Sequence, residues 1–304
     1  MSARTTTMNL PENRSSWFHL HSLWLFTKND FKTAVLPQAV FAIGLALSIA
    51  AGDDAASHHT ELLSRAPLML AWSWLHLLVF NVGNQRRPAS LVEDSINKPW
   101  RPIASGRLSP DEALPLLRVL VLLAVIVSIG LDNYPACASC MIYNWLYNDL
   151  DGDSTGPVER NFWNAIGLGC LGWGSAGVLL GQAAAGSRWD WMLLMGAVIF
   201  TTVHAQDMED MEGDLARGRK TPPLVYGEKK TRLSIAIFAI LWSVVCPAFW
   251  RVAPWPVSCV PLALGCGMAF LTTTRWDRAS DVIVWKMWCV WMAVLYILPA
   301  FGTR

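Results

Sequence analysis

The fold is decided by residues 203–223, which read VHAQDMEDMEGDLARGRKTPP. Asp207, Asp210 and Asp214 are spaced by three and four residues, which places all three carboxylates on one face of a helix. The preceding segment, 189–206, is apolar and long enough to cross a bilayer. Carboxylates crowded at a membrane edge repel each other unless a cation compensates them. The stretch therefore predicts a membrane helix that ends in a cation-binding face.

Basic residues follow these acids directly, at Arg217, Arg219 and Lys220. Hard oxygen ligands beside basic side chains suit Mg2+ that binds a phosphate-bearing substrate. The alternative interpretation is a solvated loop of mixed charge between two membrane helices, and a second acidic region makes this alternative less attractive.

The composition indicates a polytopic membrane protein. Of 304 residues, 53% are apolar and only 15% are charged, and the apolar residues fall in long blocks. A net charge of +1 argues against nucleic-acid binding. Nine apolar segments are long enough to span a bilayer; they are 34–52, 67–83, 111–131, 133–149, 161–183, 189–206, 233–250, 256–274 and 282–302.

The sequence predicts two units, residues 1–33 and residues 34–304. Residues 1–33 are predicted to form a polar N-terminus and an amphipathic helix on the membrane surface, since segment 15–33 mixes aromatic, leucine and charged residues. Residues 34–304 are predicted to form a single transmembrane catalytic domain of nine helices. Of the 24 Lys and Arg residues, 18 lie at the N-terminus and after even-numbered spans, so these loops are expected to face the cytoplasm.

The loop after the second span forms the second acidic region. Asn84, Glu93 and Asp94 supply oxygen ligands there, and Lys98 and Arg101 are suitable donors to phosphate. A surface loop is the alternative interpretation of this region alone. Two such regions, each ending a span on the same side and each followed by basic residues, favour a shared site for a metal and a diphosphate.

These two regions resemble the motifs of the UbiA superfamily of intramembrane prenyltransferases. EDSINKPWRPIASGR, residues 93–107, is similar to the first motif, and DMEDMEGDLARGRKTPP, residues 207–223, is similar to the second. The resemblance implies an all-α membrane protein with nine transmembrane helices around a central cavity. Mg2+ and a prenyl diphosphate would bind between the two acidic ends, with the prenyl tail in an apolar tunnel of the bilayer-embedded bundle.

The first motif departs from the usual form of the family, N-x-x-x-D-x-x-x-D. Counting back from Asp94, Ser90 takes the middle position and Arg86 the asparagine position, so Asn84 is a shifted counterpart. Glu93 is a candidate to replace the missing aspartate. This pattern more closely resembles fungal members of the superfamily, including sesquiterpene cyclases that act on farnesyl diphosphate.

The resemblance implies roles for individual residues. The expected catalytic residues are Asp94, Asp207, Asp210 and Asp214. The same four aspartates and Asn84 are the expected metal ligands, and Lys98, Arg101, Arg219 and Lys220 are expected to bind the diphosphate. Glu93, Asp149 and His204 are further candidates, although Asp149 is also suited to cap a helix and His204 to be a buried structural histidine.

Three functions remain open from the sequence. A terpene cyclase would ionise the diphosphate and close rings within the prenyl chain. A prenyltransferase would pass the same chain to an aromatic or meroterpenoid acceptor. A membrane transporter or scaffold would use the charged loops without chemistry.

Overall fold

The protein is built from helices, and the computed structural model describes residues 14–49, 55–252 and 255–304, with no strand in these ranges. The α-helices are α1 Ser16–Thr27, α2 Val35–Ile49, α3 Ala55–Gln85, α4 Pro88–Asn97, α5 Pro110–Gly130, α6 Tyr134–Asn144, α7 Pro157–Leu180, α8 Gln182–Ala185, α9 Trp189–Thr202, α10 Gln206–Glu209, α11 Met211–Arg217, α12 Pro222–Tyr226, α13 Glu228–Trp250, α14 Trp255–Thr274 and α15 Arg278–Ile297. A π-helical turn, Trp145–Asp149, follows α6, and short 3-10 turns follow α8, α9 and α15.

Six helices in the described part of the chain are long and apolar enough to cross a membrane: Thr60–Gln85 of α3, α5, α7, α13, α14 and Arg278–Phe301. The all-helical prediction is confirmed, but the number of nine spans is not. The other predicted spans, 34–52, 133–149 and 189–206, coincide with the shorter helices α2, α6 and α9. Residues 50–52 of the first predicted span lie outside the described residues.

Helix α1 lies in the segment predicted as a surface helix. The Ser15 side chain caps it by accepting from the N–H of Phe18 at 3.2 Å. Phe26 is buried against α3, and the indole N–H of Trp74 donates to the Thr27 hydroxyl at 3.0 Å. Residues 1–13 of the predicted N-terminal unit lie outside the described residues, and its interfacial position stays a prediction.

The core lies where α2, α3, α7, α9, α13 and α15 pack together, and large indole rings fill it. The N–H groups of three of these rings reach hydroxyl groups on neighbouring helices. Trp288 donates to Thr202 at 2.9 Å, and Trp291 donates to Ser243 at 2.9 Å. In these pairs the buried indole fills volume while its N–H group is satisfied, which fixes how the helices pack. The indole N–H groups of Trp191 and Trp250 in the same core have no partner among the described residues.

The C-terminal ends of α3, α6 and α9 converge at one end of the bundle. The π-helical turn after α6 is closed by the Leu150 N–H, which donates to the Trp145 carbonyl at 3.1 Å. A π-turn widens a helix locally and often occurs at functional sites. It contains Tyr147 and Asn148, both buried near the end of α3.

The approach of α3 to α7 depends on Gly174. A Cβ atom there would overlap the ring of Trp72, whose indole N–H donates to Ser128 of α5 at 2.8 Å. We expect Gly174→Ala to lower the free energy of unfolding by about 1–3 kcal/mol, because the buried ring has no room to move. Thermal unfolding in mild detergent measures this change.

Gly169 provides the matched control on the same helix, since a Cβ atom placed there would have no neighbouring atom within 4 Å. Gly169→Ala is expected to be neutral or to stabilise by up to about 1 kcal/mol. Equal effects of the two substitutions would contradict the packing argument.

Candidate active site

The side chain of Asn97 joins the two acidic motifs. Its amide nitrogen donates to the carbonyl oxygen of Asp210 at 2.8 Å, and its amide oxygen accepts from the N–H of Gly213 at 3.1 Å. A Cβ atom at Gly213 would overlap the Asn97 side chain, so this approach of α4 to α11 requires glycine. The structure therefore brings the regions after α3 and after α9 together at one end of the bundle.

Two of the predicted carboxylate ligands are paired with predicted diphosphate-binding cations. The Lys98 ammonium donates to Asp210, and the Arg101 guanidinium donates to Asp94 at 2.7 Å and to Asp30 at 3.1 Å. These side chains are largely buried, so the pairs compensate charges that would otherwise be costly to remove from water.

Arg160, at the start of α7, contacts Asp207, and Arg219 pairs with Asp214 at 3.3 Å. The Arg160 guanidinium donates to Oδ1 of Asp207 at 2.7 Å and to the Tyr147 hydroxyl at 3.1 Å. Oδ2 of Asp207 and Oδ2 of Asp214 are buried and have no hydrogen-bond partner among the described residues. Arg160 was not among the residues predicted from the sequence. Its signal was a basic residue directly before an apolar span and seven residues after the acidic run 149–153.

A second buried network connects α4 with the loop before α7. Glu93 accepts from Arg217 at 2.9 Å and from Arg219 at 3.0 Å. Both arginines also donate to Oδ2 of Asp153 at 2.6 Å, and Arg87 donates to Oδ1 of Asp153 at 3.1 Å. Asp153, which was not among the residues predicted from the sequence, thus connects three basic residues from two separate segments of the chain.

Burial and nearby charges shift the pKa values of Glu93 and Asp214 in opposite directions. Burial alone would raise the pKa of Glu93, but the positive charges of Arg219, Lys98 and Arg217 lower it to about 2. Burial raises the pKa of Asp214 to about 7, although the nearby guanidinium groups of Arg160 and Arg219 act to lower it. Glu93 is therefore compensated within the protein, whereas Asp214 is short of positive charge.

Asn84 lies at the end of α3 and is the first of three side-chain amides that are joined by hydrogen bonds. Its nitrogen donates to Oδ1 of Asn148 at 2.8 Å, and the Asn148 nitrogen donates to Oδ1 of Asn144 at 2.6 Å. Asn84 and Asn144 line a cavity together with Lys98, Arg160 and other charged residues of the mouth. The shifted asparagine of the first motif is thus near the other polar groups.

Three predicted site residues lie elsewhere. Asp149 is 41% exposed and pairs with Arg86 on the surface, so it fits the capping and turning role rather than the metal role. Lys220 is exposed. His204 is buried but points away from the acids, with Nε2 at 2.8 Å from the Ser234 hydroxyl and Nδ1 at 3.1 Å from the Asn161 amide.

The lining of the cavity changes along its length, and the cavity volume is about 180 Å³. Charged groups at the mouth include Glu93, Lys98, Arg101, Arg160, Asp210 and Arg219. Apolar and aromatic side chains line the rest, among them Leu77, Phe80, Tyr143, Leu168, Leu171 and Trp285. Such a space suits a ligand with an anionic head and a hydrocarbon tail.

The residues present fit a divalent cation that is bound together with a diphosphate. No group of three or more His, Cys, Asp or Glu side chains within the described ranges is arranged to bind a metal by itself. Mg2+ commonly binds through one or two carboxylates plus substrate phosphates. Asp207 and Asp214 each have a buried oxygen without a hydrogen-bond partner among the described residues, and they pair with Arg160 and Arg219, which line the cavity. They are thus two carboxylates just behind the mouth that could bind such an ion.

Asp153 is expected to stabilise the mouth of the cavity. We expect Asp153→Asn to lower the free energy of unfolding by about 3 kcal/mol or more, because three buried guanidinium groups lose their shared counter-charge. Denaturant unfolding in detergent measures the loss. Asp149→Asn is the matched control, with an expected effect below about 1 kcal/mol since that pair is exposed; equal losses would contradict the assignment.

Comparisons with known proteins extend over almost the whole chain. Residues 39–290 match the model of the UbiA prenyltransferase family. The chain is 34% identical over 93% of its length to fumagillin beta-trans-bergamotene synthase of Aspergillus fumigatus, covering 92% of that protein. It is 27% identical to somaliensene A/B synthase of Streptomyces somaliensis over the full length of both.

A solved structure gives the same fold. A UbiA homologue from Archaeoglobus fulgidus bound to GPP and Mg2+ superposes with a TM-score of 0.64 at 14% identity, covering 91% of this chain and 99% of the other. The predictions of an enzyme and of a UbiA-type helical fold are confirmed. The chain belongs to the UbiA prenyltransferase family and is an integral membrane enzyme.

Proposed function

We propose that the protein is a Mg2+-dependent intramembrane terpene cyclase. Its substrate is a prenyl diphosphate, farnesyl diphosphate in our proposal, and its product is a sesquiterpene hydrocarbon of fungal secondary metabolism. The observation that carries the proposal is one cavity in which a mouth of buried charges continues into an aromatic and aliphatic interior.

The mouth supplies donors for the diphosphate. Lys98, Arg160 and Arg219 line the cavity and are paired with protein carboxylates there. A bound diphosphate offers these cations oxygen acceptors of the same charge type as their present partners. Fixed positive groups near the leaving oxygen stabilise the charge that develops as the C–O bond breaks.

Asp207 and Asp214 are the residues that would bind the metal ion, together with Asn84, Asp94 and Asp210 as candidates from the motifs. When bound, Mg2+ supplies Lewis-acid stabilisation of the departing diphosphate. Arg160 donates to Oδ1 of Asp207 and thereby orients the carboxylate with Oδ2 unpartnered.

An aromatic wall adjoins the mouth and supports cyclisation. Phe80, Tyr143 and Tyr147 form a cluster with ring centroids 5.3–5.5 Å apart, and all three line the cavity. Aromatic faces attract cations, so this wall would stabilise a carbocation that migrates along the prenyl chain. The enclosing helices also limit water, which would otherwise capture the cation.

The alternative function is transfer of the prenyl chain to an acceptor. A second cavity opens beside the first and shares Lys98, Glu209, Asp210 and Trp285 with it. Its other residues include Trp100 and Lys286, which suit an aromatic or anionic acceptor. We favour the cyclase because the extensive sequence similarity is to terpene synthases, at 34% identity over 93% of the chain for the fungal relative.

We further propose that the protein resides in the endoplasmic reticulum with the mouth facing the cytoplasm. The excess of Lys and Arg on the predicted cytoplasmic loops supports this orientation. Magnesium and soluble diphosphates would then reach the mouth directly.

The metal site is tested by Asp207→Asn in membranes supplied with farnesyl diphosphate. We expect diphosphate release to fall by about 100-fold or more, because a carboxylate that binds the cation is lost, and chelation of Mg2+ should abolish release. Asp190→Asn, at the opposite end of α9 and paired with Arg188, is the control and should retain activity. Full turnover in Asp207→Asn would defeat the metal assignment.

The class of reaction is tested by analysing hexane extracts of microsomes incubated with farnesyl diphosphate and Mg2+. The cyclase proposal predicts a hydrocarbon without any added acceptor. Consumption of the substrate only after an aromatic acceptor is added would establish the transferase instead. Absence of consumption under both conditions would favour the transporter or scaffold. Parallel incubations with geranyl and geranylgeranyl diphosphate test the chain length.

A further inference from the structure

His76 on α3 lines the cavity and is 95% buried. Its Nδ1 lies 2.9 Å from the carbonyl oxygen of Trp72, one turn earlier on the helix. A carbonyl oxygen only accepts hydrogen bonds, so the proton of the neutral ring is on Nδ1. Nε2 therefore carries a lone pair.

Nε2 of His76 has no hydrogen-bond partner within the described part of the chain. A buried polar atom without a partner is costly and calls for an explanation. His204, the other buried histidine, differs because both of its ring nitrogens contact polar partners, Asn161 and Ser234. His76 is thus a buried base whose reactive nitrogen is not used by the fold.

Packing fixes the orientation of this ring. It stacks on the indole of Trp72 with centroids 3.8 Å apart, while the indole N–H is anchored to Ser128. The hydrogen bond to the Trp72 carbonyl would also stabilise the protonated imidazole, because Nδ1–H becomes a stronger donor when the ring is charged.

The position of His76 separates it from the charged mouth. It precedes Asn84 by eight residues on the same helix, which corresponds to roughly 12 Å along the axis at about 1.5 Å per residue. Leu77, Phe80, Leu168 and Leu171 line the cavity with it. A diphosphate bound at the mouth would be far from this apolar part, so a proton lost there requires a base on the protein.

We propose that Nε2 of His76 is the base that ends cyclisation by removing a proton from the last carbocation. The inference rests on the proposed cyclase function. The C–O bond of the prenyl diphosphate breaks with its electron pair on the leaving diphosphate, and a π bond of the chain attacks the cation to form a C–C bond.

The final step balances without any further reactant. A C–H bond adjacent to the cationic carbon breaks, its electron pair forms the new C=C bond, and the proton binds to the Nε2 lone pair. The imidazolium then passes this proton to water that enters as the products leave, which restores neutral His76.

The test compares two readouts, diphosphate release and hydrocarbon product, in His76→Phe and His76→Gln. Phe retains a ring that can stack on Trp72, and Gln retains an N–H that can reach the Trp72 carbonyl, but both lack the base. We expect diphosphate release to persist, because ionisation occurs at the mouth. The main hydrocarbon should decrease at least about tenfold relative to diphosphate released, in favour of alcohols and alkene isomers.

His204→Asn is the control, since it replaces a buried histidine that does not line the cavity, and it should leave the product composition unchanged. An unaltered product composition in a His76 variant that still releases diphosphate would overturn the role as base. Loss of both readouts with an unchanged thermal midpoint in both His76 variants would also overturn it, because His76 would then act in ionisation. Failure of the wild-type protein to release diphosphate would instead refute the cyclase proposal itself.

Discussion

Compensation of buried charge at one end of the bundle is the constraint on which the rest of the structure depends. Asp94, Asp207 and Asp210 come from two distant parts of the chain, and each contacts a cation, from Arg101, Arg160 and Lys98 respectively. Removing an ion from water costs several kcal/mol, and only close opposite charges offset that cost. The loops after α3 and α9 must therefore pack against each other and against the start of α7.

The buried carboxylates differ in how fully their negative charge is compensated, and this difference matters for function. Glu93 and Asp153 are surrounded by guanidinium groups and remain charged, which secures the loops. Within the described part of the chain, Asp207 and Asp214 each retain a buried oxygen without a hydrogen-bond partner, and burial raises the pKa of Asp214 to about 7. One part of the network thus holds the mouth together, while the other part is short of positive charge and suits a cation that arrives with the substrate.

The interior of the cavity differs from the mouth, because Leu77, Phe80, Leu168 and Leu171 line it together with His76. Gly174 allows α7 to reach Trp72, and the Trp72 carbonyl in turn fixes the tautomer of His76. The distance between this base and the mouth separates the proposed ionisation from the proposed proton loss. A carbocation formed at one end would travel along aromatic and aliphatic walls before it meets a base.

Much of this arrangement is predictable from the sequence. Long apolar blocks require helices, because backbone polar groups in a bilayer must be satisfied within the segment. The spacing of Asp207, Asp210 and Asp214, with the basic residues after them, correctly indicated the family, and it predicted the candidate site. The number of spans was less predictable, because α6 gives way to a π-helical turn and α9 to a 3-10 turn, and α2 is described only to Ile49.

Which charged residues pair with each other depends on the tertiary packing. Asp149 and Asp153 belong to the same acidic run, yet Asp149 faces the surface and Asp153 connects Arg87, Arg217 and Arg219. Arg160 and His76 acquire their roles from neighbours on other helices, which local sequence does not encode. That acidic and basic residues lie at the ends of apolar segments is already set by the sequence, because it follows from the apolar blocks and from the spacing of the charged residues. Their partners depend on how the helices pack, because Coulomb energy in a buried site depends on distances of a few ångströms between residues far apart in the chain.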